Sequence, residues 1–422
     1  MDAKNPHEDI SSIVVAPEDA GERIRASLGL AAGEELRISY ITGPGDVQGT
    51  YVHWLAGELD PRVPTVAKTA MLYELCRQIT ARAQLVADVQ PGCSDFDDGN
   101  VRFDYIQRHR FSGALSYYWA SIRRIYDARQ AIKRFSPHFV IACTDFPSYG
   151  LPVLTTAGAK LIFSLHNTFW TKGLTVLSLK ERLANFGREF WLQSADTALC
   201  TSLECELQFQ RLTKNKIKTF RNIPQQRRPA SPVSANKPGK TRKILFLGRI
   251  EDAKGIYDLL DAYASLSKKY QDIELVFAGA GAAAQALTNR IKELGDDRVR
   301  YVGKLSADEV FAELKGTYVN ICPTRNAFKE GLALVCIEAA VYGVPSIMST
   351  AVPAAYLLPD SGEVYAADSV EELTAALDKF LQDPAFQSQR SQKALVESQN
   401  FFRRDKSWGS YLYLAMLQAA SN

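Results

Sequence analysis

Short apolar strands alternate with helical stretches along both halves of this chain, and that alternation constrains the fold more than any other feature. Residues 36–41, 140–143, 161–165 and 197–200 read as strands in the first half, each followed by turn or cap residues. In the second half the spacing predicts strands at 244–247, 273–278, 299–302 and 318–322, separated by helices at 256–268, 284–294 and 307–314. Apolar runs without polar alternation suit strands covered on both faces, as in parallel sheets flanked by helices. Between the halves, residues 225–240 hold Arg227-Arg228-Pro229-Ala230-Ser231-Pro232 and Pro238-Gly239 with no apolar period, and read as a linker. The expectation is an α/β chain of two doubly wound domains, residues 1–224 and 241–403. A length of 422 residues allows two domains, and 46% hydrophobic content allows each a core.

The chemistry is concentrated in Glu330-Gly331-Leu332-Ala333-Leu334-Val335-Cys336-Ile337-Glu338, which runs from a turn into an apolar helix between two carboxylates. Eight positions of α-helix rise about 12 Å, whereas carboxylate pairs that cleave a glycosidic bond stand about 5 to 9.5 Å apart. Two acids so placed serve different parts of one long ligand, and a nucleotide sugar is such a ligand. Upstream, a buried strand delivers Gly248 and Arg249 to its carboxyl end, and Lys254-Gly255 follows. Ligands of open α/β sheets bind at that end, where Arg as a planar fork and Lys as a point charge suit a diphosphate. Alone, the strand-Gly-Arg pattern also fits a surface charge pair beside a turn; the two glutamates favour the phosphate site.

Taken in order, Gly248-Arg249, Lys254-Gly255, Phe277-Ala278-Gly279-Ala280-Gly281, Val302-Gly303, Pro323-Thr324, Glu330 to Glu338 and Gly343-Val344-Pro345 resemble the retaining GT-B glycosyltransferases of family four, over residues 241 to about 347. The resemblance implies two Rossmann-like domains facing a cleft, with a C-terminal helix at about 404–422 crossing back to the first domain. It implies a hexosyltransferase-type enzyme (EC 2.4) that moves sugar from a nucleoside-diphosphate sugar to a saccharide, lipid-linked or small-molecule acceptor, with retention, in glycan or polysaccharide biosynthesis. No cofactor and no metal are implied. Carried over by position, Arg249 and Lys254 hold the diphosphate, Glu330 contacts the donor sugar and Glu338 takes the ribose hydroxyls. Gly331, Leu332 and Ala333 offer backbone N–H groups, a role with its own physical reason, since free amides at a helix start attract anions. Gly279, Gly303 and Thr324 join the donor-binding set.

In the first domain, Ser164-Leu165-His166-Asn167-Thr168 puts a histidine just past a strand, and the resemblance makes His166 a donor-sugar contact near the reacting centre; without it, a structural histidine would be the reading. Gly43-Pro44-Gly45-Asp46-Val47-Gln48-Gly49-Thr50 lacks the adjacent glycines usual in the family, leaving Gly49 as the candidate phosphate contact. Ser349-Thr350-Ala351-Val352-Pro353 also departs from the family pattern, so the acceptor side is not inherited. Two other readings share this fold: a non-catalytic nucleotide-sugar-binding protein and a GT-B sugar-nucleotide epimerase. The joint presence of Arg249, Lys254, Glu330 and Glu338 favours the transferase over both.

Other features bound the surroundings. A net charge of +3 is too mild for a nucleic-acid partner. Seven cysteines without CxxC spacing fit a reducing compartment. The first residues lack signal-peptide character and no apolar run reaches about 18 residues, so the expectation is cytoplasmic. Residues 101–135 carry eight basic residues against Asp104 and Asp127, with Tyr117, Tyr118, Trp119 and Tyr126 interleaved. That composition suits peripheral contact with an anionic inner membrane face, although a solvated face over a buried aromatic stripe is the commoner outcome. Asp95-Phe96-Asp97 resembles a metal-diphosphate signature but sits in a turn-rich stretch, and reads as an acidic loop.

Overall fold

The computed structural model describes residues 10–43, 45–90, 92–107, 113–155, 158–172, 179–229, 231–235 and 240–422, and builds them around two sheets. The first contains β1 (Leu36–Ile41), β2 (Ala81–Asp88), β3 (Phe96–Asp97), β4 (Val101–Ile106), β5 (Phe139–Cys143), β6 (Lys160–Leu165), β7 (Thr197–Cys200) and β8 (Lys218–Arg221). Their order is β3-β4-β2-β1-β5-β6-β7-β8. The second contains β9 (Arg242–Leu247), β10 (Ile273–Ala278), β11 (Val299–Tyr301), β12 (Thr317–Cys322), β13 (Ser346–Ser349) and β14 (Glu363–Tyr365), ordered β11-β10-β9-β12-β13-β14. Every pairing is parallel except that of β3 with β4.

Helices cover both faces. The first domain has α1 (Ala20–Leu28), α2 (Val47–Leu55), α3 (Lys68–Gln78), α4 (Ala114–Phe135), α5 (Leu151–Leu154), α6 (Leu179–Ala184), α7 (Arg188–Leu192) and α8 (Leu203–Thr213). The second has α9 (Ile256–Leu266), α10 (Ala284–Leu294), α11 (Ala307–Lys315), α12 (Leu334–Val341), α13 (Val370–Gln382) and α14 (Pro384–Ser398). The last helix, α15 (Trp408–Ala420), returns to the first domain as expected and packs on α1, α3, β6, β7 and β8. Its buried Trp408, Leu412, Tyr413 and Met416 complete the first-domain core, and Trp408 Nε1 donates to Ser164 Oγ at 3.0 Å.

Several elements escape the periodicity. Strands β2 and β4 carry Gln84, Arg102 and Asp104, which argue against a central strand. The structure resolves the conflict by joining three strands through side chains: Ser39 Oγ donates to Gln84 Oε1 at 2.5 Å and Gln84 Nε2 to Asp104 Oδ2 at 2.6 Å. Buried polar groups satisfied by one another cost little. Residues 101–135 are accordingly not one basic element, since 101–106 form β4 and, among the described residues, α4 is the helical part. Arg102 binds Asp104, and Arg124 lies 3.2 Å from Asp88; Arg108 and Arg110 lie outside the described residues. Part of the expected linker is also fixed. Gln225 and Gln226 are buried, with Gln225 O accepting from Val66 N and Gln226 N donating to Phe401 O, each at 3.0 Å.

Candidate functional site

A cavity of about 660 Å³ lies between the domains, at the carboxyl ends of both sheets. From the second domain, β9 ends at Leu247 and hands the chain to Gly248 and Arg249. A short turn, Asp252–Lys254, follows, and Gly255 at φ +71° starts α9. A β-carbon on Gly255 would stand 1.9 Å from the Pro323 carbonyl oxygen, so only glycine lets this turn press against the end of β12. The result brings Lys254 Nζ to within 4.0 Å of the Phe328 ring centre and the Arg249 guanidinium to 4.8 Å. Lys254 also forms an ion pair with Glu330 Oε2, and Thr324 Oγ1 donates to the same oxygen at 3.3 Å.

Glu330 was expected eight helical positions before Glu338. The helix instead begins at Leu334, so Glu330 sits in the preceding loop, where it can turn into the cleft. Ala333 caps α12 with φ +67°, a left-handed conformation that a non-glycine residue adopts only at a local cost. The amides of Gly331, Leu332 and Ala333 have no acceptor among the described residues, and they open into the cavity with those starting α12. Glu338 lies one turn into α12, without a hydrogen-bond partner among the described residues, and burial pushes its carboxyl up to about 7.

The first domain supplies His166, immediately after β6, and Lys68, the first residue of α3. His166 N donates to Thr144 Oγ1 at 2.7 Å, while the Lys68 ammonium meets His166 Nδ1 and lies 3.3 Å from Thr201 Oγ1. Burial, and then the neighbouring Lys68 charge, hold the imidazole well below its ordinary value. Burial lowers Lys68 to about 8. An ammonium has no lone pair, so the neutral ring accepts at Nδ1 and carries its proton on Nε2.

The cleft thus gathers His166, Arg249, Lys254, Thr324, Glu330, Gly331, Leu332 and Ala333. Other expected residues stand apart from its lining. Gly49 lies within α2, and its N–H donates to Asp46 Oδ1 at 2.8 Å, so the amide reserved for phosphate is already engaged. Gly279 N donates to Gly303 O at 2.7 Å; these two glycines join neighbouring turns through their backbones. The acidic loop is engaged as well: Asp97 pairs with Arg82 at 2.7 Å, Asp98 accepts from Tyr51 at 2.7 Å, and Asp95 accepts from Tyr105 N at 2.8 Å. Sequence reasoning missed Lys68 and Phe328. A lysine opening the otherwise mostly buried α3 was the available signal for the first; the second has none.

Residues 227–396 match the family model for glycosyl transferases group 1. An uncharacterized glycosyltransferase of Haemophilus influenzae is 29% identical over 196 residues, covering 45% of this chain and 54%, about half, of the relative. Sucrose-phosphate synthase from Thermosynechococcus elongatus superposes with a TM-score of 0.63 at 15% identity, over 90% of this chain and 97% of that one. Anabaena HepE, in complex with UDP, gives 0.58 at 14% identity over 87% and 96%. The fold is that of the GT-B glycosyltransferases. Within that fold, residues 227–396 are the part that resembles the glycosyl transferases group 1.

Proposed function

We propose that this chain transfers a sugar from a nucleoside-diphosphate sugar to a saccharide, lipid-linked or small-molecule acceptor. The observation that carries this reading is the convergence of Lys254, Glu330 and a helix start with open amides opposite His166. Arg249, Lys254 and the amides of 331–333 would receive the diphosphate and stabilise the charge that grows as it leaves. Glu330 would hold a donor-sugar hydroxyl, His166 Nε2–H would donate to another sugar oxygen, and Glu338 would accept from the ribose hydroxyls. Glu330 then positions rather than attacks, which accords with retention by same-face attack, the leaving phosphate taking the acceptor proton. Transfer would need no metal, since the only acidic loop with the expected signature is occupied by arginine, tyrosine and backbone partners.

Thermal-shift titration with UDP, GDP, ADP and their common sugar conjugates tests the donor site, because selective binding stabilises the fold by mass action. One nucleotide standing out fixes the donor class. No shift from any of them would leave the transferase reading without a donor. Turnover abolished by a divalent chelator would refute metal independence.

A further inference from the structure

A surface outside the cleft carries chemistry that sugar transfer does not use. Helix α4 buries Ala120, Ala128, Ala131 and Ile132 in the first domain. At about 100° per residue its opposite side therefore presents Tyr118, Trp119, Ile122, Tyr126 and Lys133. Trp119 is 61% exposed and Ile122 60%. Beside the start of α4, the α6–α7 region exposes Leu179 by 74%, Phe186 by 81% and Phe190 by 72%. Helix α5 contacts both α4 and α7, and Tyr149, just before it, sets its ring edge-on to Trp191 of α7 at 5.7 Å. Monomeric proteins rarely leave so many large apolar side chains together in water.

The charge around this patch is net positive: the α6–α7 sequence sets Lys180, Arg182 and Arg188 against Glu181 and Glu189, and α4 adds a larger excess. On the exposed side of α4 stand Arg123, Lys133 and Arg134, with Asp127 paired to Arg123 at 3.2 Å and Arg134 3.7 Å from Asp104, while Arg124 turns inward to Asp88. Arg123 also lies 5.6 Å over the Tyr126 ring. We infer that this face docks on an anionic lipid bilayer, with Trp119, Ile122, Leu179, Phe186 and Phe190 entering the headgroup boundary and the α4 cations meeting lipid phosphates. Aromatic and apolar side chains beside Lys and Arg are the composition of helices that lie in a membrane interface. A saccharide would stack on Tyr and Trp but gains nothing from Ile122 and Leu179. A second copy of the chain would bring like charges together. No helix among the described residues is long and apolar enough to cross a membrane, so the contact is peripheral. It does not depend on the transfer reading.

Flotation of the full chain with phosphatidylcholine vesicles, alone or mixed with phosphatidylglycerol, tests it. The chain is expected to float with the mixed vesicles at low salt and to be released by high salt. A combined Trp119→Ser, Phe186→Ser, Phe190→Ser variant is expected to float at least about ten-fold less, with an unchanged thermal midpoint and gel-filtration volume. A Lys133→Glu, Arg123→Glu variant provides a second, purely electrostatic loss. The inference is overturned if wild type stays behind with both vesicle types or if the apolar variant floats equally well. Dimers that only wild type forms would assign the face to a second copy, and saturable oligosaccharide binding lost in the apolar variant would assign it to a saccharide; either overturns it too.

Discussion

Gly331 of the second domain lies against His166 of the first so closely that a β-carbon at position 331 would stand 2.0 Å from the His166 carbonyl oxygen. Around this point Thr168 Oγ1 reaches Glu330 O at 3.5 Å, Thr171 Oγ1 donates to Asn326 O at 2.7 Å and Lys172 Nζ to Val352 O at 2.9 Å. The missing side chain sets how near the two halves of the cleft approach. Gly331→Ala should force them apart and lower kcat/KM by about 10- to 100-fold, since small misplacements at a reacting centre have effects of that order. Steady-state kinetics beside a thermal melt checks this; a normal rate would show that the halves meet elsewhere during turnover.

Lys254 and Glu330 form one unit. Each of Lys254→Ala and Glu330→Ala should cost about 100-fold in kcat/KM, or roughly 2.7 kcal/mol. The double variant should lose much less than the product of the two, because each single change strands a partner charge inside the cleft. Full additivity would mean that the pair acts on separate parts of the ligand.

The Glu338 carboxyl, raised by burial from its ordinary 4.5 to about 7, gives a pH dependence of defined sign. The folded chain holds this proton more tightly than the unfolded chain does. The group's contribution to stability is therefore complete below about pH 4.5 and is lost as pH rises toward 7. A ribose requires the ionised form, so nucleotide binding near pH 6.5 should release a proton. Calorimetry in two buffers of different ionisation enthalpy measures that release, and Glu338→Gln should remove it.

His166 should be neutral at its ordinary titration point of pH 6.5 and above, its Cε1 proton resonance showing no titration there. In Lys68→Met the neighbouring charge is gone while burial persists, so the ring should titrate higher than in wild type, though still under its ordinary value. A wild-type ring titrating near 6.5 would break the Lys68–His166 arrangement.

Trp408→Ala should destabilise the first domain by about 3–5 kcal/mol, by opening a cavity under Tyr40 and releasing the Ser164 hydroxyl. Near-ultraviolet circular dichroism during denaturation follows the loss.

The second-domain strands could be read because they are mainly apolar, with at most a single polar residue inside each predicted span; 273–278 agrees with β10 at both ends. Strands β2 and β4 could not, because Gln84 and Asp104 are acceptable inside a sheet only once they find each other across it, and such pairing has no local signature. At the cleft, Arg249, Lys254 and Glu330 were visible because backbone turns with glycines bring them to strand ends. Lys68 was not, since its meaning comes from His166, 98 positions away in the chain. Glu330 was identified but misplaced, the left-handed Ala333 delaying the helix start past the point where composition put it.

Helix α15 gives the first and last parts of the chain a shared fate. A ribosome delivers β1 to β8 early, yet Trp408, Leu412 and Met416, which close that sheet's core, emerge only after the whole second domain. The second domain, contiguous between the two, can finish folding while the first still waits with its apolar surface open. The order of completion in synthesis is thus the reverse of the order in sequence, and a chain stalled shortly before residue 408 would present a finished second domain attached to an unfinished first.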